Sequence, residues 1–241
     1  GNFKCLHAHC ESRNISDLKT VLGIDLVEFE DETENQREDV AERDTLYPVF
    51  TFDEFQDFPK TQWLIRNALP KAELGMVYGA SASGKSFIVL DMVMSVAEGT
   101  PWRGEKTEQG KVAYVCAEGG AGFRKRCYAY AQHHGLKSQN ALFLDSAPNL
   151  TKAADVKKLI LSIKPHGPFK IVVLDTMAAV TAGSDENSGK DTGTLLEHCK
   201  LIGRQCGGAM VILVHHSGKD ATRGARGWSG SRAAVDVEME V

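Results

Sequence analysis

From about residue 61 the chain alternates short apolar runs with amphipathic stretches of helical length. MVYG (76–79), KVAYVCAE (111–118), LFLD (142–145), KIVVLDT (170–176) and AMVILVHH (209–216) read as strands. Most are continuously apolar rather than alternating, the pattern of strands covered on both faces. Between them, SFIVLDMVMSVAEG reads as a helix closed by Gly99, and GFRKRCYAYAQHHG (122–135) as one ending at Gly135. AADVKKLILSIK (153–164) reads as a helix stopped by Pro165, and TLLEHCKLIGRQCG as a fourth. Glycine past a helix end and proline beyond it are the expected stop signals. TAGSDENSGKDTG (181–193) and SGKDATRGARGWSGSR (217–232) read as polar loops, and the closing VDVEMEV alternates like a strand. Strand–helix alternation without an internal repeat predicts an α/β fold: a mostly parallel twisted sheet flanked by helices.

The N-terminal part follows another pattern. Residues 1–27 hold a Cys/His cluster and a short amphipathic segment ending LKTVLGIDL. Residues 28–60 read as an acidic linker and lead-in, since 28–45 is rich in Asp and Glu and lacks hydrophobic periodicity. The α/β domain is then 61–241. A length of 241 residues suits one sizeable domain with a small appendage. With no initiating Met and a strand in progress at its end, the chain reads as a piece of a longer polypeptide, truncated at the C-terminus.

Charge narrows the function classes. Lys+Arg is 28 and Asp+Glu is 32, a net charge of -4, which argues against a uniformly basic DNA-coating protein and leaves room for a local basic patch. No apolar run is long enough to span a membrane, and no signal-peptide core opens the chain, so the expected compartment is the cytoplasm. Six cysteines in a chain of this length do not suggest a disulfide scaffold. Cys116 reads as a small core residue, and Cys199 and Cys206, seven apart, as one buried helix face.

The chemistry starts at Gly79-Ala80-Ser81-Ala82-Ser83-Gly84-Lys85-Ser86, a full G-x-x-x-x-G-K-[ST] match with a strand before it and a helix after it. Its glycines let backbone N–H groups curl around an anion, and the helix N-terminus adds partial positive charge. Lys85 would reach the β- and γ-phosphates of ATP, and Ser86 would hold Mg²⁺. Asp175 closes the run KIVVLD, where a carboxylate beside such a loop serves as a second Mg²⁺ ligand. Thr176 either helps position water or starts the turn. No second acid follows Asp175, so the base must come from elsewhere. Glu118, closing VAYVCAE, is the best-placed candidate to orient or deprotonate the attacking water. His215 and His216 end the fifth strand. Alternation sends one of them to the site, and His216 is preferred by position. Lys219, Arg223, Arg226 and Arg232 crowd the last loop, either as solvated charges or as contacts to phosphates. Trp63 and Trp102 flank the loop region and serve either as packing residues or as a platform for adenine.

Taken together, GASASGKS, Glu118, VLDT, the DENS of 185–188, VHHSGKD and RGWSGSRAAVD resemble the RecA-like ATPases. The resemblance is closest to the RepA-type hexameric helicases and the ATPase modules of phage and plasmid primase–helicases, over roughly 61–241. It implies a RecA-like core in a homo-oligomeric, hexameric ring, with nucleotide between subunits and single-stranded DNA as partner. It implies Lys85 and Ser86 on the phosphates and Mg²⁺, Asp175 as the acid of the second nucleotide motif, Glu118 as catalytic base and His216 as phosphate sensor. Arg226 matches an arginine finger and Arg232 is a second candidate, while Lys219 and Arg223 fall in the DNA-contacting channel loop. The implied setting is a bacterial, phage-infected or plasmid-bearing cell. A recombinase, a loader or a regulatory switch is the alternative function. FKCLHAHC (3–10) resembles the end of a Cys/His segment of some primase–helicases. Cys5, His7, His9 and Cys10 are zinc-ligand types, but their tight spacing fits a metal-free stub better.

Overall fold

The computed structural model describes residues 49–56, 61–185, 188–217 and 234–241. The chain divides into two units, Gly1–Phe58 and Pro59–Val241. In the first, the short helix α1 (Phe52–Gln56) follows a capping box. The Thr51 N–H donates to Glu54 Oε2 at 2.8 Å, and the Glu54 N–H donates back to Thr51 Oγ1 at 3.4 Å. This helix falls inside the segment expected to be linker.

The second unit opens with an antiparallel pair, β1 (Trp63–Ile65) and β2 (Leu69–Pro70). Then come β3 (Leu74–Gly79), α2 (Lys85–Glu98), β4 (Lys111–Cys116), α3 (Gly120–His134), β5 (Ala141–Leu144) and α4 (Ala153–Ile163). They are followed by β6 (Phe169–Asp175), α5 (Met177–Val180), α6 (Gly189–Gln205), β7 (Met210–His216) and β8 (Val237–Glu240). Among the described residues, six strands form one sheet in the order β5-β4-β6-β7-β3-β8, and every neighbouring pair is parallel. The expected α/β architecture is present. The order has a consequence for the site: β3, which feeds the phosphate loop, does not touch β6, which carries Asp175. Strand β7 lies between them and brings His216 to the same edge.

Successive residues of the central strands feed two cores. Val172 and Leu174 of β6, with Val211 and Leu213 of β7, pack with Leu159 of α4 and with Leu195, Cys199 and Ile202 of α6. Ile171 and Val173, with Ile212 and Val214, pack on the opposite face with Val89, Leu90 and Val93 of α2 and Phe123 of α3. That two-sided burial is why these strands are apolar at every position. The edge strands differ: β5 is only partly buried and β8 alternates exposed with half-buried residues.

Several boundaries differ from expectation for local reasons. Strand β4 ends at Cys116, so Glu118 lies two residues beyond it rather than within it. The polar stretch 181–193 is not all loop. The Ser188 side chain accepts from the Asp191 N–H at 3.3 Å, and this cap starts α6 at Gly189 despite two glycines in its first turns. Helix α5, which follows Thr176, has no signal in the hydrophobic pattern. Pro165 ends α4 but sits inside a 3₁₀ turn (Lys164–His166) rather than in a loop. Gly99 and Gly135 cap α2 and α3 in the left-handed conformation, as expected. Cys116, Cys199 and Cys206 are buried and free; Cys206 caps α6 rather than lying within it. No helix among the described residues is long and apolar enough to cross a membrane.

Candidate nucleotide site

The loop from Gly79 to Ser86 turns sharply between β3 and α2. Gly84 has φ 92° and Ala82 has φ 64°, both in the left-handed region, which glycine adopts freely and alanine only under constraint. A Cβ on Gly79 would run into the backbone carbonyl of Val241 and touch Ser83 Oγ, so the closeness of the chain there demands glycine. Lys85, 6% exposed, folds back over the loop and donates to the carbonyls of Gly79 (3.0 Å) and Ala80 (2.6 Å). Burial pushes its ammonium pKa below the ordinary value, and the charges of Asp175 and Glu118 oppose that shift. The result is a cation held over a cradle of backbone with its carboxylate counter-charges nearby.

Beyond the loop lies a cavity of about 350 Å³ at the C-terminal edge of the sheet. Ser81, Ala82, Gly84, Lys85 and Ser86 of the loop line it, together with Glu118, Asp175, Thr176 and His216 at or just beyond strand ends. Gly79, Ala80 and Ser83 build the loop without lining the cavity. The crevice beyond the carboxyl ends of parallel strands is where open α/β sheets bind ligands. The site is tied together by its backbone. The N–H groups of Ala117 (2.7 Å) and Glu118 (3.3 Å) donate to the Asp175 carbonyl, and the Ser217 N–H donates to the Gly79 carbonyl at 2.8 Å.

Each carboxylate has a hydroxyl partner. The buried Thr176 donates from Oγ1 to Glu118 Oε1 at 2.8 Å, which gives Thr176 a definite contact. The phenol of Tyr114 donates to Asp175 Oδ2 at 2.6 Å. Burial first, then the charge and hydrogen bond of Asp175, push the Tyr114 pKa well above its ordinary value, so it remains a donor. Of the histidine pair, His216 lines the cavity, as preferred, while His215 is 1% exposed. His216 Nδ1 is buried with no hydrogen-bond partner among the described residues.

Four lining residues were not singled out from the sequence: Phe87, Phe123, Arg126 and, as more than a packing residue, Cys116. Arg126 of α3 lies over the Phe87 ring, 5.3 Å from its centroid. In sequence it is one of three cations in RKR and reads as solvated. Only the turn that aims α3 at the loop distinguishes it. Burial pushes the Cys116 thiol up to about 12, so it stays protonated. Tyr114 does not stand out in the sequence, because tyrosine suits an apolar strand without further reason. Its spacing of four from Glu118, on the same strand face as Cys116, was the available signal.

Trp102 packs into the core and donates from Nε1 to Asp91 at 2.9 Å, and Trp63 lies on β1. Neither lines the cavity, so the packing use holds for Trp102. Lys219, Arg223, Arg226 and Arg232 lie outside the described residues, as do Cys5, His7, His9 and Cys10. Of the 185–188 stretch, Asp185 and Ser188 are described. Among the described residues no group of three or more His, Cys, Asp or Glu forms a metal cluster. A nucleotide-bound Mg²⁺ needs less from the protein, because phosphate and water supply most ligands. Ser86 and Asp175 both line the cavity and are the residues that would meet that need.

Residues 38–222 match a family model described as AAA domain. That is well over half of the chain, and the chain belongs to this family. With the strand order and the phosphate loop, this makes it a P-loop ATPase of RecA-like fold, a class that uses ATP and typically Mg²⁺. No curated protein matches it. Among solved structures, that of the RadB recombinase is similar at 20% identity over 71% of this chain and 75% of that chain, with a TM-score of 0.47. So distant a likeness says nothing about what this chain does.

Proposed function

We propose that this chain is the ATP-hydrolysing motor domain of a replicative DNA helicase or primase–helicase that translocates on single-stranded DNA. The observation that supports its ATP-hydrolysing part is the convergence of Lys85, Ser86, Asp175, Glu118 and His216 on one cavity, and the helicase part rests on the motif resemblance. The phosphate loop and Lys85 receive the triphosphate, and Ser86 with Asp175 would hold the Mg²⁺. When bound, that ion neutralises charge on the β- and γ-phosphate oxygens. Thr176 holds Glu118 so that its free carboxylate oxygen can orient a water for in-line attack and accept its proton. Lys85 offsets the charge that develops on the transferred phosphoryl group.

His216 stands where hydrolysis would be sensed. Its strand joins the phosphate-loop strand by the Ser217–Gly79 hydrogen bond, and the chain continues into the segment carrying Lys219 and Arg223. In this reading, those two side chains contact the DNA backbone. Arg226 or Arg232 completes a neighbour's site within a homo-oligomeric ring.

The test is steady-state Mg·ATP hydrolysis with and without single-stranded DNA at several protein concentrations, with ring assembly followed by light scattering. DNA stimulation that rises more steeply than linearly with protein supports a motor with shared sites. Turnover indifferent to DNA in an assembled ring contradicts it and favours a recombinase, loader or switch.

A further inference from the structure

Among the described residues, Lys85 and Asp175 are the Lys, Arg, Asp and Glu side chains that are buried. Asp175, 5% exposed, faces the cavity from the end of β6, and its Oδ2 accepts a 2.6 Å hydrogen bond from Tyr114. Tyr114 is itself 1% exposed and packs its ring on Phe123, with centroids 4.4 Å apart. Across the β4–β6 ladder Tyr114 is level with Val173, so its phenol reaches two residues along the strand to the carboxylate. Phenylalanine would serve the packing equally well at this position. The hydroxyl adds one thing, a hydrogen bond to a buried carboxylate, and a buried carboxylate is free to turn about χ2 unless something holds it.

We infer that Tyr114 is a positioning residue for the nucleotide-bound divalent cation: its hydroxyl engages Oδ2 of Asp175 and so keeps Oδ1 directed to the cavity. The inference rests on the assignment of Asp175 as the cation-side carboxylate. Partners of ligating carboxylates fix ligand orientation, and their loss weakens metal binding by about tenfold or more. Phe123 keeps the ring in place from α3, so loss of the hydroxyl alone should leave the packing intact.

The experiment is binding of a fluorescent ATP analogue by the full chain while Mg²⁺ is titrated, for wild type, Tyr114→Phe, Asp175→Ala and the double variant. Tyr114→Phe should raise the half-saturating Mg²⁺ about tenfold and leave affinity in EDTA unchanged. In the Asp175→Ala background it should add nothing, because its effect passes through that carboxylate. A Tyr114→Phe midpoint within twofold of wild type, or an equal shift with Asp175 absent, overturns the inference, as does a lowered melting temperature without a Mg²⁺ shift. If Asp175→Ala itself leaves the midpoint unmoved, the cation assignment falls and the inference with it. If Asp175→Ala moves it and Tyr114→Phe does not, the inference alone falls. Should Tyr114→Phe fail to fold, 4-fluorophenylalanine at position 114 fills the space of the hydroxyl and removes the donor. A midpoint within twofold of wild type then overturns the inference, and a shift abolished by Asp175→Ala supports it.

Discussion

Thr176 Oγ1 donates a 2.8 Å hydrogen bond to Glu118 Oε1, joining the residue after β6 to the loop after β4. Glu118 is exposed and sits on a Gly-Gly turn, so without a partner its carboxylate would sample many rotamers. Thr176 is buried and cannot follow it, so the threonine sets the direction of the base. A hydrogen bond to a charged group contributes about 1.5–3 kcal/mol, and only part of that bears on reactive geometry. Thr176→Val should therefore lower kcat about tenfold with nucleotide affinity unchanged, and Thr176→Ser should restore it. Parallel kcat and binding measurements on the two variants check this.

Lys85 is held by two loop carbonyls before any nucleotide arrives. Lys85→Ala should lower turnover on the order of a hundredfold or more and weaken nucleotide binding as well. Isothermal titration with ATP, alongside turnover, checks both effects.

Glu108 ties Lys71 (2.7 Å) and Lys170 (2.6 Å) together near the N-terminal end of β4. The hydrogen bonds from Lys170 and then Lys71 hold its carboxyl below the ordinary value of 4.5. A depressed carboxyl adds stability that is fully present above its unfolded pKa and lost as pH falls through the folded one. All three side chains are about one third exposed, so screening keeps the contribution to about 0.5–1 kcal/mol. Glu108→Gln should lower the melting temperature at pH 7, and the difference from wild type should shrink as pH falls below 4.5. Thermal melts across pH 3–7 check this.

Gly203 lies where α6 meets the chain entering β7, and a Cβ there would overlap the backbone carbonyl of Ala209. Backbone cannot yield as a side chain tip can. Gly203→Ala should destabilise the domain by about 1–3 kcal/mol, despite the better helix propensity of alanine. Chemical denaturation should show a lower midpoint with an unchanged slope.

Strand and helix content was legible in the sequence wherever burial dictated residue type. β6 and β7 are apolar at nearly every position because both their faces are covered, and α2 is apolar for the same reason. Legibility failed where a single side-chain contact decided the matter. Ser188 starts α6 inside a stretch whose composition reads as loop, and Thr51 with Glu54 starts α1 inside apparent linker. In the site, Gly79 to Ser86 could be read because the phosphate cradle needs those residue types in that order. Asp175, Glu118 and His216 could be read because each lies at or just beyond a strand end. Tyr114 and Arg126 could not, since tyrosine suits any apolar strand and arginine any helix surface. Their meaning comes from the β4–β6 register and from the aim of α3.

The most direct measurement is ATP binding and hydrolysis by Glu118→Gln beside wild type. The variant keeps the size of the side chain and its contact with Thr176 but gives up the proton acceptor. It should bind Mg·ATP as wild type does and hydrolyse it at least about a hundredfold more slowly. A Glu118→Gln chain that turns over at the wild-type rate would contradict the assignment of the base and, with it, the reading of this cavity as the hydrolytic site.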